Sequence, residues 1–284
     1  MPAPREINWE SPRKLIKSVF LNKIVKSRYG KNRHPIGHMV VELQDSTRYD
    51  MVGMAPADRL LPVHKVTKEA YGLGVLFALM EGQLEHQDIN LPQVQERIRN
   101  SDIAFVNYKV SQEVFDRLWL YLHDYQSKGF DKYYNGTNRP REGTGGGCSA
   151  FAVSFLDVGG LQGLLPSDAW KVTVAVPDKL IGGDYCGNKR VSWFKVLFAK
   201  RWANTSSMDE SYETLCLYEP TLFYKWILEK HYGSQETLNV YKGTRGNAKG
   251  LVVYARTQFS PNEPIWYAEN TKALGSVRSG GIGD

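Results

Sequence analysis

Gly145-Gly146-Gly147-Cys148-Ser149-Ala150-Phe151-Ala152-Val153-Ser154-Phe155-Leu156 is the stretch from which a fold can be read. Three consecutive glycines favour a loop, because each loses more backbone freedom in a regular element than any other residue. After them Cys148, Phe151, Ala152 and Phe155 recur at helical spacing, and Gly159-Gly160 supplies a stop. The spacing therefore predicts a helix that begins at a cysteine. Unpaired N–H groups and the positive end of the helix dipole favour a thiolate there, the nucleophilic form of the side chain. The same N–H groups could cradle an oxyanion, and Gly146 and Gly147 would let a substrate approach the main chain. The plain alternative is a glycine turn followed by a buried cysteine packed with Phe151 and Phe155.

Working outward toward the N-terminus, residues 129–147 read as a loop that carries Tyr134. Ser111 opens a helix with Val114, Leu118, Leu122 and Tyr125 on one face, Ile103 to Val110 reads as a strand, and Pro92 to Asn100 as a short helix. Residues 19–28, 37–44 and 48–54 read as short strands. In the second of these Met39, Val41 and Leu43 share one face, while His38, Val40, Glu42 and Gln44 share the other. Toward the C-terminus, strands are expected at 171–176, 240–242 and 251–255, with a helix over 220–231. The class is α+β.

A thiol nucleophile needs an imidazole to accept its proton and a polar group to orient that imidazole. Of six histidines, His34 precedes a proline in a basic loop, His64, His86 and His123 fall in loop or exposed-helix contexts, and His231 lies near a helix end. His38 opens a strand directly after Gly37, which makes it the candidate base, although a lone strand histidine is more often a surface residue.

The order Gly37-His38-Met39-Val40-Val41-Glu42-Leu43, a second strand, intervening helices, a tyrosine-bearing loop and then Gly147-Cys148-Ser149-Ala150-Phe151 at a helix start resembles the circularly permuted papain-like superfamily. That group includes permuted NlpC-type peptidases and lecithin:retinol acyltransferase-like enzymes. The resemblance spans roughly residues 19–160 and implies an antiparallel sheet packed against the helix that bears the cysteine. It also implies Cys148 as nucleophile, His38 as base and a third polar residue on the strand after the histidine. Asp50 is the best candidate for that place, with Glu42 and Gln44 as substitutes. Gly147 stands where many relatives carry Asn. Gly146, Gly147, Glu42 and Tyr134 would then contact substrate. Residues 1–160 would form the catalytic core, with 161–284 packed on it or completing the same domain.

The implied activity is hydrolysis of an amide in a peptide or a peptidoglycan stem peptide. Acyl transfer or thioester cleavage on lipid, and a catalytically silent module holding a peptide or glycan, are the alternatives. No cofactor or metal is expected: the zinc-hydrolase H-E-x-x-H spacing, the Walker loop and the G-x-S-x-G elbow are all missing from the sequence. Gly243-Thr-Arg-Gly246 reads as a hairpin turn rather than an RNA clamp.

The chain has 284 residues, 42% hydrophobic and 23% charged, enough for a large core. No run reaches the roughly 18 apolar residues that span a bilayer. The net charge of +6 is concentrated at the front, where residues 1–34 carry nine Lys and Arg against Glu6 and Glu10 and the rest sums to about −1. This basic leader suits the edge of a cleft or an anionic surface better than a nucleic acid. Three cysteines are too few for a disulfide scaffold, and one bridge, if any, would join Cys186 to Cys216. The opening Pro-Ala-Pro-Arg-Glu suits a mature periplasmic or secreted protein better than a cytoplasmic one, and the tail Ser276 to Asp284 reads as flexible.

Overall fold

The computed structural model describes residues 1–25, 34–137, 139–207, 209–233, 239–257 and 261–267. The expectations for the 276–284 tail and for the basic residues between 26 and 33 lie outside them. Helix α1 is Pro12–Ile24, followed by β1 (Val41–Gln44), β2 (Tyr49–Pro56), α2 (Leu61–Thr67), β3 (Met80–Glu85), α3 (Gln87–Arg99) and β4 (Ala104–Val110). Then come α4 (Gln112–Ser127), β5 (Tyr133–Tyr134), α5 (Cys148–Val158), β6 (Lys171–Pro177), α6 (Trp193–Phe198), β7 (Tyr212–Tyr218), α7 (Pro220–Tyr232), β8 (Val240–Arg245) and β9 (Ala248–Ala255). The class is α+β.

Three sheets organise these elements. An antiparallel sheet runs β1-β2-β3-β5, a mixed one runs β4-β9-β8 with β4 parallel to β9, and β6 pairs antiparallel with β7. On one face of the first sheet, Leu43, Val52, Met54 and Leu84 pack with Phe151, Phe155 and Val158 of α5 and with the apolar face of α4. On the other face Met51 and Val40 pack with Val94 of α3, Ile103 and Met1. The N-terminal and C-terminal parts share their cores: Leu15, Leu73 and Phe77 pack with Val176, Leu180 and Leu215, and Leu156 packs with Trp170, Trp226 and Leu251.

The sequence expectation fails at residues 19–28, which begin inside a helix rather than a strand. Ser11 caps α1 by accepting the Lys14 N–H, and Pro12 sits at its first position, where no N–H is needed. Leu15, Ile16, Val19 and Phe20 then follow a helical stripe into the core. Helix α3 starts five residues earlier than expected, with Pro92 in its first two turns. The Gly243–Gly246 stretch lies in the antiparallel hairpin of β8 and β9. No disulfide joins Cys186 to Cys216, so the expected bridge is not formed.

Candidate functional site

Cys148 is the first residue of α5, 7% exposed, with Gly147 as an N-cap that offers no side chain to the helix. Nothing at the cap competes with the sulfur for the free N–H groups of the first turn. Its Sγ accepts the Met39 and Ser149 main-chain N–H groups and lies 3.8 Å from the Ser149 hydroxyl. Burial still dominates and raises the thiol above its ordinary pKa, with those hydrogen bonds acting in the opposite direction. The cysteine is therefore a protonated thiol at neutral pH. Its own N–H meets the hydroxyl of Tyr134, a half-buried residue whose phenol pKa is raised first by desolvation.

The glycine loop is explained by packing. A Cβ at Gly145 would fall 2.1 Å from the Tyr133 carbonyl oxygen, and this residue has φ +75°. At Gly146 a Cβ would meet the Pro140 ring at 2.8 Å, and at Gly147 the Asn135 carbonyl oxygen at 3.2 Å. The Gly146 N–H donates to Tyr133 O at 3.2 Å. The glycines thus let the loop lie against β5, and the donor at Gly146 is already engaged. Beside them the buried Arg141 donates to Asp157 at 2.5 Å and to Ile265 O at 2.8 Å, tying the loop to α5 and to residues 263–267.

His38 is 2% exposed and lies just ahead of β1. Its N–H donates to Met1 O and its carbonyl accepts from the Met1 nitrogen, both at 2.9 Å. The ring stacks on His34, with centroids 4.0 Å apart and planes 7° apart. The ring lies over Gly53, where a Cβ would come within 2.9 Å of Nε2 and 3.1 Å of Val40 Cγ1. Burial first, then repulsion between a protonated ring and the neighbouring His34, Met1 amine, Arg59 and Arg97, holds the imidazole well below its ordinary pKa, so it is neutral. Nε2 has no hydrogen-bond partner among the described residues.

The imidazole and the thiol meet different neighbours. Strand alternation puts His38 on the same sheet face as Val40, Met51 and Gly53, whereas α5 packs on the opposite face, with Val41, Leu43, Val52 and Met54. The sulfur reaches the main chain of Met39, one residue along from His38, and not the ring nitrogen Nε2.

Asp50 is placed on a different histidine. Its Oδ2 lies 2.9 Å from His86 Nδ1, and His86 Nε2 lies 2.8 Å from the Gln126 side-chain amide. That pair of contacts fixes one tautomer, with Nδ1–H donating to the carboxylate and Nε2 accepting. Glu42 pairs with Arg245 and hydrogen-bonds Tyr49.

The carboxylate that shares a face with the His38 ring is Glu85. It sits opposite Gly53 in the β2–β3 register and is 4% exposed. It forms an ion pair with Arg59, and one nitrogen of Arg59 and Oε2 of Glu85 remain without hydrogen-bond partners among the described residues. Sequence reasoning missed both residues. Glu85 carried a usable signal: Glu81 and Gln83 on its face of β3 are exposed, and a strand that ends by burying a glutamate must pair it.

Among the described residues no group of three His, Cys, Asp or Glu side chains is arranged to hold a metal ion, and no helix is long and apolar enough to cross a membrane. No family model, curated protein or solved structure matches the chain.

Proposed function

We propose that the protein is a cysteine-dependent hydrolase of the circularly permuted papain-like kind, acting on an amide in a peptide or peptidoglycan stem peptide. The observation that carries this reading is the setting of Cys148, a thiol at the start of α5 ringed by main-chain N–H donors, with Tyr134 over its own N–H. Those donors would hold a developing negative charge on sulfur or on a carbonyl oxygen beside it. The thiol proton would pass to His38, sulfur would attack the carbonyl, His38 would return the proton to the leaving amine, and water would release the acyl group. For the first step a ring nitrogen of His38 must come within hydrogen-bond reach of the sulfur. Arg59 and Glu85 are the polar groups beside the ring's seat over Gly53, so they take the positioning role that sequence reading gave to Asp50.

The second reading is a catalytically silent module that holds a peptide or glycan. The seat of the His38 ring over Gly53, with Nε2 unengaged, is the observation that favours it. The deciding experiment treats native protein with an iodoacetamide probe, maps the adduct, and follows release of amine from peptide and stem-peptide substrates by wild type, Cys148→Ala and His38→Ala. Hydrolysis that disappears in both variants while their circular dichroism is unchanged supports the enzyme. Hydrolysis undiminished in Cys148→Ala, or none in any form together with retained ligand binding, removes it.

A further inference from the structure

Among the described residues the two larger sheets each end in a strand with one unpaired side, β1 in one and β4 in the other. Between these edges lies a cavity of about 820 Å³, lined by all of residues 39–45 and 104–112, within the range of natural ligand sites. Side chains alternate along a strand, so a strand presenting one face would contribute every second residue. Consecutive lining shows that both strands turn their main-chain edges toward the cavity. Beyond their bonds to β2 and β9, the N–H and C=O groups of Val41–Gln44 and Ala104–Val110 have no main-chain partner among the described residues. Unpaired edges of this kind are templates for another strand.

The rest of the lining says what would fit. Ala152, Val153 and Leu156 of α5 contribute an apolar surface. The Tyr108 hydroxyl and the Trp170 indole nitrogen belong to residues that line the cavity, are buried, and have no hydrogen-bond partner among the described residues. Lys109 and Arg256 also line it. They lie at the same end, since Lys109 and Val110 pair with Tyr254 and Ala255, and both are exposed without an ion pair among the described residues.

We infer that this groove takes up an extended peptide of a partner molecule, added as a strand along β4 and facing β1, with a carboxylate of the peptide at Lys109 and Arg256. Main-chain hydrogen bonds would supply affinity, and alternate side chains would enter the apolar spaces. Seven residues of β4 span roughly 23 Å, which sets the length of the bound segment. The groove also reaches Met39, whose N–H is held by the Cys148 sulfur, but the inference does not depend on any chemistry at that thiol.

The test uses the full chain and an N-terminally fluorescein-labelled heptapeptide of alternating valine and threonine ending in aspartate. A second peptide is identical but N-methylated at alternate amides. Fluorescence polarisation should show saturable binding of the first, weaker by about tenfold or more for the second, the equivalent of one lost hydrogen bond of about 1.4 kcal/mol. Lys109→Gln with Arg256→Gln should weaken binding similarly and abolish its salt dependence. Amide exchange over 41–44 and 104–110 should slow when the peptide is added. Cys148→Ala should bind as wild type does, so binding without hydrolysis and hydrolysis without binding are separate results, and the second overturns the groove alone. The inference is also overturned by no saturable binding, by equal affinity for the N-methylated peptide, or by edge amides already protected until residues 268–284 are deleted, which would make the occupant the chain's own C-terminal segment.

Discussion

Gly53→Ala tests the seat of His38 directly. The added methyl would stand 2.9 Å from Nε2, 3.4 Å from Cε1 and 3.1 Å from Val40 Cγ1, contacts too close to keep. The ring has little room to retreat, because it is 2% exposed, stacked on His34 and held through its main chain by Met1. Forcing extra volume into a packed interior costs about 1–3 kcal/mol. Replacing glycine by alanine in an extended strand returns about 0.4–1 kcal/mol by restricting the unfolded chain. The net expectation is a loss of about 1–2 kcal/mol. Urea unfolding at pH 7.5, where the imidazole is neutral, gives the midpoint and slope from which that loss is read. A double-mutant cycle then isolates the cause. In a His38→Ala background both ring contacts are gone and only Val40 Cγ1 at 3.1 Å remains, so Gly53→Ala should become close to neutral, with a coupling of at least about 1 kcal/mol between the two positions. Strict additivity, or a Gly53→Ala protein as stable as wild type, would show that the ring does not sit where the geometry places it.

Removing one partner of the Arg59–Glu85 pair leaves an uncompensated charge beside His38. Glu85→Leu should therefore cost about 3 kcal/mol, the low end for a buried pair because Arg59 is 28% exposed, while Glu85→Leu with Arg59→Met should recover most of the loss in denaturant melts. His38 gives stability a pH dependence whose sign follows from its depressed pKa. The unfolded chain takes up a proton near 6.5 and the folded one only at lower pH, so stability should fall as pH drops below about 6.5. In His38→Gln that part of the stability curve should flatten, and an unchanged acid limb would refute a buried neutral imidazole. Because its thiol pKa is raised by burial, Cys148 should react with iodoacetamide at pH 7 more slowly than the exposed Cys216, the order being read by mass spectrometry of the intact fold.

What could be read from sequence was what depends on near neighbours. Ser111 caps α4 by accepting the Val114 N–H, Cys148 does begin α5, and β2, β4, β6, α7 and β9 lie within a few residues of where alternation or helical spacing puts them. Residues 19–28 misled because Val19, Phe20, Ile24 and Val25 favour a strand locally, and the helix start signal lies eight residues upstream at Ser11-Pro12. Strand β7, Tyr212–Tyr218, was missed although its partner β6 was seen; its core residue Leu215 is fixed only by pairing across more than thirty residues of chain. The site shows the same division. The cysteine, the histidine and the tyrosine were legible as residues, but which carboxylate meets which histidine was not. Asp50 and His86 are 36 positions apart, and Arg59 and Glu85 are 26 apart.

Strand parity links these errors to the function. Reading His38 on the face opposite Met39, Val41 and Leu43 was correct, and α5 packs on the Val41–Leu43 side. Together they place the imidazole on the sheet face opposite the one that α5 packs against, while the sulfur at the start of α5 reaches the main chain of Met39, the residue after His38. A shift of one residue in the β1–β2 register would reverse that, moving His38 to the α5 side and Met39 to the Gly53 side. Gly53 opposes the shift: only a residue without a side chain leaves room for a ring on its face, and Val52 and Met54 on either side face α5. Strand β1 also bounds the groove that faces β4. A peptide paired to β4 and facing β1 would lie beside residues 39–44, the segment that directly follows His38. If His38 and Cys148 act as proposed, a bound peptide and the base would be neighbours along one four-residue strand.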